Sequence, residues 1–306
     1  LKKKMKKTWI IGTRGSKLAL KQTGIVVKQL APLYPDREFV VKTIKTRGDT
    51  IWDRPLHLVG GKGLFVKEIE DELRDGSIDM AAHSAKDLPA TLGDGLVLGA
   101  VLKREDPRDA FISQTYHALG ALPARSKIGT SSLRRKSQVL RLNKELRVIA
   151  LRGNVDTRIR KLRTQSLDGI ILAYAGVKRM GFLEHIREII PLDIMVPSAG
   201  QGAIAVEIQD GNEAVELLKP INDPVSSEEI SIERELLGRI GGGCQVPLGI
   251  HANITDRTLT LYVSMGEENG NIFVHEKNTY PREQAARAIQ EALDKLKPFL
   301  AFSYQP

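Results

Sequence analysis

Through its first 210 residues the chain alternates short β-branched runs with longer amphipathic ones, and no other feature narrows the fold so far. "TWIIGT" predicts a strand, and "SKLALKQTGIVVKQLAPLY" predicts a helix that starts at or near Ser16. "EFVVKTIKT" reads as strand, "GLFVKEIEDELRDG" as a helix closed by Gly76, and "IDMAAHS" and "LVLGAVLK" as strands again. The pattern then restarts. "KIGTSS" leads into a helix from about Ser132, followed by "LRVIALR" as strand, "NVDTRIRKLRT" as helix and "DGIILAY" as strand. Strands separated by helices predict parallel sheets covered on both faces.

Ile-Gly-Thr occurs at both starts, in "IGTRGSKL" from Ile11 and "IGTSSLRR" from Ile128, each time between a predicted strand and a predicted helix. Chance similarity of short turns accounts for this equally well. If the echo is real, each half aims a helix N-terminus, with its unpaired N–H groups, at a common cleft that would welcome an anion. "AIAVEI", residues 203–208, reads as a strand returning to the first half, so the chain would cross near Asp106 and near Pro197 in a two-strand hinge. The expected fold class is α/β, with two doubly wound domains so joined and a small C-terminal α+β domain. The expected boundaries are 1–103 with 200–220, then 104–199, then 221–306.

The last domain rests on a change of pattern after Pro224: a helix "SSEEISIERELLGRI", the loop "GGGCQVPLG", strands "TLTLYVSMG" and "NIFVHEKNTY", and a closing helix "PREQAARAIQEALDKLKPFL". Residues 46–63, "TRGDTIWDRPLHLVGGKG", form a long Gly-rich stretch without clear period, the kind of segment expected to act as a lid or to be disordered. The apolar runs stop short of the ~18 residues a membrane span needs, and the lysine-rich start passes into charge after Ile11, so no export signal is expected. One cysteine, Cys244, allows neither an internal disulfide nor a CxxC motif, which points to a reducing cytoplasm.

The formal net charge is +9, and its distribution is uneven. Between Arg134 and Arg163 eleven Lys or Arg face two acids, Glu145 and Asp156, a local surplus equal to that of the whole chain. A solvated basic face is one explanation. Nucleic acid fits poorly, because aromatics make up only 5% of the chain and this window has none to stack on bases. Small polyanions, above all carboxylates gripped by arginine forks, fit better. Three further residues stand out. Cys244 follows three glycines, which favours an exposed loop over an inert core thiol. Asp87 in "HSAKDLP" reads as a turn residue or as a catalytic carboxylate at a strand end, and His83 reads as a core histidine, with no metal site expected.

The segments "GTRGSKLAL", "GGKGLFVKE", "HSAKDLPA", "REDPRDAF", "IGTSSLRR", "LRGNVDTR", "AYAGVKRMGF", "AGQGAIAVE" and "GGGCQVPLG", in this order, closely resemble the porphobilinogen deaminases, also called hydroxymethylbilane synthases. The resemblance implies a cytoplasmic, monomeric transferase of haem and other tetrapyrrole biosynthesis. It would deaminate four porphobilinogen molecules and join them head to tail into hydroxymethylbilane on a dipyrromethane cofactor, held through a thioether to Cys244. It implies Asp87 as the catalytic carboxylate. It also implies Ser16, Lys86, Asp87, Thr130, Ser132, Arg134, Arg135 and Arg158 around the cofactor, and Arg14, Gln22, Lys62, Arg152, Arg158, Arg179 and Gln201 toward substrate side chains. Each porphobilinogen carries an acetate and a propionate, which gives the arginine surplus a partner. The two-halved arrangement resembles periplasmic binding proteins. That leaves two rivals: a non-catalytic anion-binding module, and a thiol acyl-transfer enzyme using Cys244 with His83 or His251.

Overall fold

A computed structural model describes residues 6–50, 66–241 and 246–300. In chain order its elements are β1 (Thr8–Arg14), α1 (Lys17–Leu30), β2 (Glu38–Ile44), a single turn α2 (Arg47–Thr50), α3 (Lys67–Arg74), β3 (Met80–Ser84) and β4 (Leu96–Val101). There follow β5 (Asp109–Ile112), β6 (Lys127–Gly129), α4 (Leu133–Leu142), β7 (Arg147–Ile149), α5 (Val155–Thr164), β8 (Gly169–Ala173), α6 (Tyr174–Met180) and β9 (Ile186–Ile189). The chain closes with β10 (Ile204–Gln209), α7 (Ala214–Leu218), α8 (Pro224–Ile240), β11 (Leu248–Thr255), β12 (Thr258–Gly266), β13 (Ile272–Pro281) and α9 (Ala285–Leu300). Except for residues 46–50, the 46–63 stretch lies outside the described residues, as do Lys62 and Cys244.

The chain forms two compact units, residues 1–105 with 203–227, and 106–202 with 228–306. Each holds a five-stranded sheet, in the order β2-β1-β3-β10-β4 in the first unit and β7-β6-β8-β5-β9 in the second. The two plans are the same. In each, a central strand (β1 or β6) pairs in parallel with two neighbours, and the fourth strand (β10 or β5) runs antiparallel to both strands beside it. The repeated Ile-Gly-Thr therefore marks equivalent positions, at the end of β1 and of β6.

The antiparallel strand corrects the all-parallel expectation, and connectivity gives the reason. β10 and β5 are not reached through a crossover helix within their own sheet. Each is formed by chain that has just entered its unit, at Ala203 and at Asp106. Such a strand begins at the edge where its parallel neighbours end.

Both faces of each sheet are covered, as in doubly wound folds. In the first unit, Trp9 and Ile11 pack with Val26 and Leu30 of α1, while Ala81 on the other face packs with Ile69 and Leu73 of α3. In the second, Phe111 and Ile128 pack with Val139 of α4, and Ile170 and Leu172 with Leu162 of α5 and Val177 of α6. Also in this unit, β11, β12 and β13 form an antiparallel sheet whose apolar face is covered by α8 and α9 through Leu236, Ile289 and Leu293. Strand β11 comes so close to the preceding segment that a Cβ on Gly249 would stand 2.6 Å from the Val196 carbonyl oxygen. No described helix is long and apolar enough to cross a membrane.

Candidate functional site

In parallel sheets the carboxyl ends of the strands, where loops turn into helix N-termini, form the ligand edge. In the first unit β1 runs into Arg14, Gly15 and Ser16, and Ser16 caps α1 by accepting from the Ala19 amide at 3.2 Å. Beside it, β3 ends at Ser84 and passes into a one-turn 3₁₀ segment, Ala85–Asp87, that carries Lys86 and Asp87. The turn is pinned to the start of the antiparallel strand, because the Ala85 amide donates to the Ala203 carbonyl at 3.1 Å. From α1, the buried Gln22 amide donates to the Ser84 hydroxyl at 2.8 Å, and the hydroxyl donates back to the Gln22 carbonyl oxygen at 3.1 Å. Gln22 thus braces the strand end that holds Asp87. Asp87 itself is exposed, and its carboxylate makes no hydrogen bond or ion pair with the described residues.

In the second unit, β6 leads through Thr130, Ser131 and Ser132 into α4. Ser132 caps the helix toward the Arg135 amide at 3.4 Å, the Thr130 hydroxyl accepts from the Ser132 amide at 3.2 Å, and the Ser131 hydroxyl donates to the Leu151 carbonyl at 2.9 Å. Arg152 lies beyond β7, and its carbonyl accepts from Lys161 Nζ at 3.0 Å. Arg158 on α5 donates through Nε to the Gly153 carbonyl at 2.7 Å, and Arg179 on α6 donates to the Gly202 carbonyl at 2.6 Å. All three of these arginines are half-buried. Each unit therefore brings its own share of the expected residues to the carboxyl edge of its parallel strands.

Arg134 and Arg135 are placed differently from open ligand forks. Both are 5% exposed, and both turn onto the fully buried Asp109, the first residue of β5. Arg134 Nη1 lies 2.8 Å from Asp109 Oδ2 and donates to the Val196 carbonyl at 2.7 Å. Arg135 donates from Nη2 and Nε to Asp109 Oδ1 at 2.7 and 3.1 Å, and from Nη1 to the Ile171 carbonyl at 3.1 Å. Gln201, 1% exposed, adds its amide to Asp109 Oδ1 at 2.9 Å and to the Pro107 carbonyl at 2.7 Å. Burial alone would push the Asp109 carboxyl up, but the two guanidiniums hold it well below the usual carboxylate range. Burial lowers the Arg134 guanidinium, and Asp109 opposes that shift.

The two histidines of the acyl-transfer alternative are both buried against acids. His83 Nε2 lies 3.0 Å from Glu207 Oε2, and His251 Nδ1 lies 3.1 Å from Glu233 Oε1. Glu233 on α8 also accepts from the Gly200 amide at 2.7 Å and the Ala252 amide at 2.8 Å, joining α8, β11 and the 196–202 segment. Sequence reasoning missed Asp109, Glu207 and Glu233. The one available signal was Asp109's place in "REDPRDAF", since nothing local distinguishes a buried acid from a solvated one.

Comparison with known proteins supplies the family. Residues 9–217 match the porphobilinogen deaminase dipyromethane cofactor binding domain, and residues 227–297 match the porphobilinogen deaminase C-terminal domain. The porphobilinogen deaminase of Syntrophotalea carbinolica is 45% identical over 276 residues, covering 90% of this chain and 88% of that protein. That of a Roseiflexus species is 49% identical over 269 residues, covering 88% and 89%. That of Carboxydothermus hydrogenoformans is 44% identical over 306 residues, covering 96% and 98%. Likeness to solved structures is more distant. The periplasmic VFT2 domain of Bordetella pertussis BvgS shares 15% identity at a TM-score of 0.42, covering 74% of this chain and 92% of that one.

Proposed function

The chain belongs to the porphobilinogen deaminase family, and from that membership we propose which of its residues carry the reaction. It is a transferase of tetrapyrrole synthesis that deaminates porphobilinogen and joins four units into hydroxymethylbilane on a dipyrromethane cofactor. The finer reading is that it works as a cytoplasmic monomer on free porphobilinogen.

The donor set fits such a cofactor. A dipyrromethane offers several carboxylates and two pyrrole N–H groups. Among the described residues, the chain offers an exposed carboxylate without a partner at Asp87, Ser-capped helix starts at Ser16 and Ser132, and two buried guanidiniums that share a single acid. Lys86, Thr130, Ser132, Arg134, Arg135 and Ser16 would hold its side chains, and the Cys244 sulfur would anchor it. A soft thiolate suits that bond, and no second thiol competes. When bound, the group supplies the pyrrole carbon to which the first substrate unit is joined.

The remaining chemistry falls to the chain's own residues. Arg14, Arg152, Arg158 and Arg179 take the acetate and propionate groups of incoming substrate through charge-assisted hydrogen bonds. Gln22 braces Ser84 and hence the Asp87 turn, and Gln201 acts through Asp109. Asp87 donates a proton to the departing amine, faces the positive charge that develops on pyrrole nitrogen, and takes the proton lost from the newly joined carbon. One carboxylate does all three in turn.

The observation that carries this reading is the exposed Asp87 carboxylate, without a partner among the described residues, on a braced turn at the ligand edge. Asp87→Asn keeps the shape and loses charge and proton exchange. We expect it to keep a covalent cofactor or bound intermediate while turning over at least ~100-fold more slowly. Steady-state rates near wild type would remove Asp87 from the mechanism.

A further inference from the structure

The two arginines at the start of α4 pose an electrostatic problem that the rest of the site does not. A buried guanidinium is costly unless paired, and breaking a buried pair is more costly still. Here two guanidiniums, each 5% exposed, share one fully buried carboxylate, and no other acid pairs with them among the described residues. With no acid the cluster would carry two positive charges in a poorly solvated place. With two acids it would be neutral and indifferent to anions. With one, a single positive charge is left over beside the Ser132-capped start of α4, where the helix already favours negative charge.

The topology explains how an acid comes to stand at this edge. β5 runs antiparallel to β8, with Asp109 opposite Ala173, so the first residue of β5 lies level with the last residue of β8. The carboxylate thus enters from a strand of opposite direction and meets both arginines. Its oxygens are divided between them, with Oδ2 toward Arg134 and Oδ1 toward Arg135 and Gln201. All three nitrogens of the Arg135 guanidinium already donate within the protein. Arg135 therefore contributes its charge to a ligand more than a direct fork.

We propose that Asp109 is a positioning residue: it orients Arg134 and Arg135 and reduces their combined charge to one, so that this edge accepts a carboxylate of the cofactor and is complete only with it. The inference rests on the cofactor reading above. It predicts that Asp109 acts on the acquisition of the cofactor, upstream of turnover.

The test uses full-length Asp109→Asn and Asp109→Glu, prepared without cofactor and then exposed to porphobilinogen. The loaded fraction is followed by intact-protein mass, and urea unfolding is measured on the same samples. The expected result is cooperative unfolding with loading slowed at least tenfold in both variants, because Asn lacks the charge and Glu carries it one methylene out of place. Turnover per loaded molecule should fall far less than loading does. A variant that folds and loads at the wild-type rate overturns the proposal, and normal loading of Asp109→Glu alone shows that charge without position suffices. Failure of both variants to fold would also overturn it, since Asp109 would then be a folding residue only. Wild-type protein that takes up no dipyrromethane would instead sink the cofactor reading itself.

Discussion

The same side chain can be read two ways here, and its partners decide between them. Asp87 and Asp109 are both aspartates at the ligand edge of a sheet. One is exposed and makes no bond to the described residues, and the other is fully buried under two guanidiniums. The first is open to solvent, and the second faces only protein groups. The arginines differ in burial. Arg134 and Arg135 are 5% exposed and pair with Asp109, whereas Arg158 is half-buried and donates through Nε to the Gly153 carbonyl. Replacing Arg158 with Leu should therefore spare folding and impair chain extension, because a desolvated carboxylate left without its fork costs ~3 kcal/mol or more. Native mass spectrometry should show stalled protein carrying intermediate numbers of pyrroles. A normal distribution with normal turnover would remove Arg158 from substrate binding. The place of Asp87 at the end of a strand was legible from "HSAKDLP". The burial of Asp109, Glu207 and Glu233 was not, because pairing with a residue tens of positions away leaves no local trace.

Elements with a strong period were legible. Helices α1, α4 and α5 start where Ser16, Ser132 and Asn154 stand, and β1, β3 and β8 coincide with β-branched or small apolar runs. Among the strands, β5, β9 and β11 escaped, as did the short helices α6 and α7. "DAFI" and "IREI" are only four residues long, too short to display alternation, and "LGIHANIT" follows a glycine-and-proline stretch that reads as loop. Strand direction was not legible either, since the side-chain pattern of β10 is the same whichever way the strand runs. β11 matters because Gly249 lies against Val196, whose carbonyl also holds Arg134 and whose amide donates to Gln138 at 2.8 Å. Gly249→Ala should push the two segments apart and cost roughly 1–3 kcal/mol, as overpacking does. Urea unfolding of the cofactor-free protein measures this directly. An unchanged midpoint would mean that the segments part without cost and that Gly249 does not set the approach of β11.

At the scale of the whole molecule, one sheet plan is used twice, with an exposed carboxylate, Asp87, at the strand ends of the first unit and an arginine surplus in the second. The repeated Ile-Gly-Thr made the duplication readable from sequence, and the return of the chain to the first unit at β10 made it more than a tandem repeat. The proposed thioether between Cys244, the lone thiol, and the dipyrromethane cofactor is the claim most directly open to test. Intact-protein mass of the active enzyme, with and without Cys244→Ala, decides it. The wild-type chain should weigh more than its sequence by two linked pyrrole units and resist thiol alkylation, and the variant should fold but lose the extra mass and all activity, since no other cysteine can trap the group. Active wild-type enzyme at its bare sequence mass, with Cys244 freely alkylated, would contradict the account.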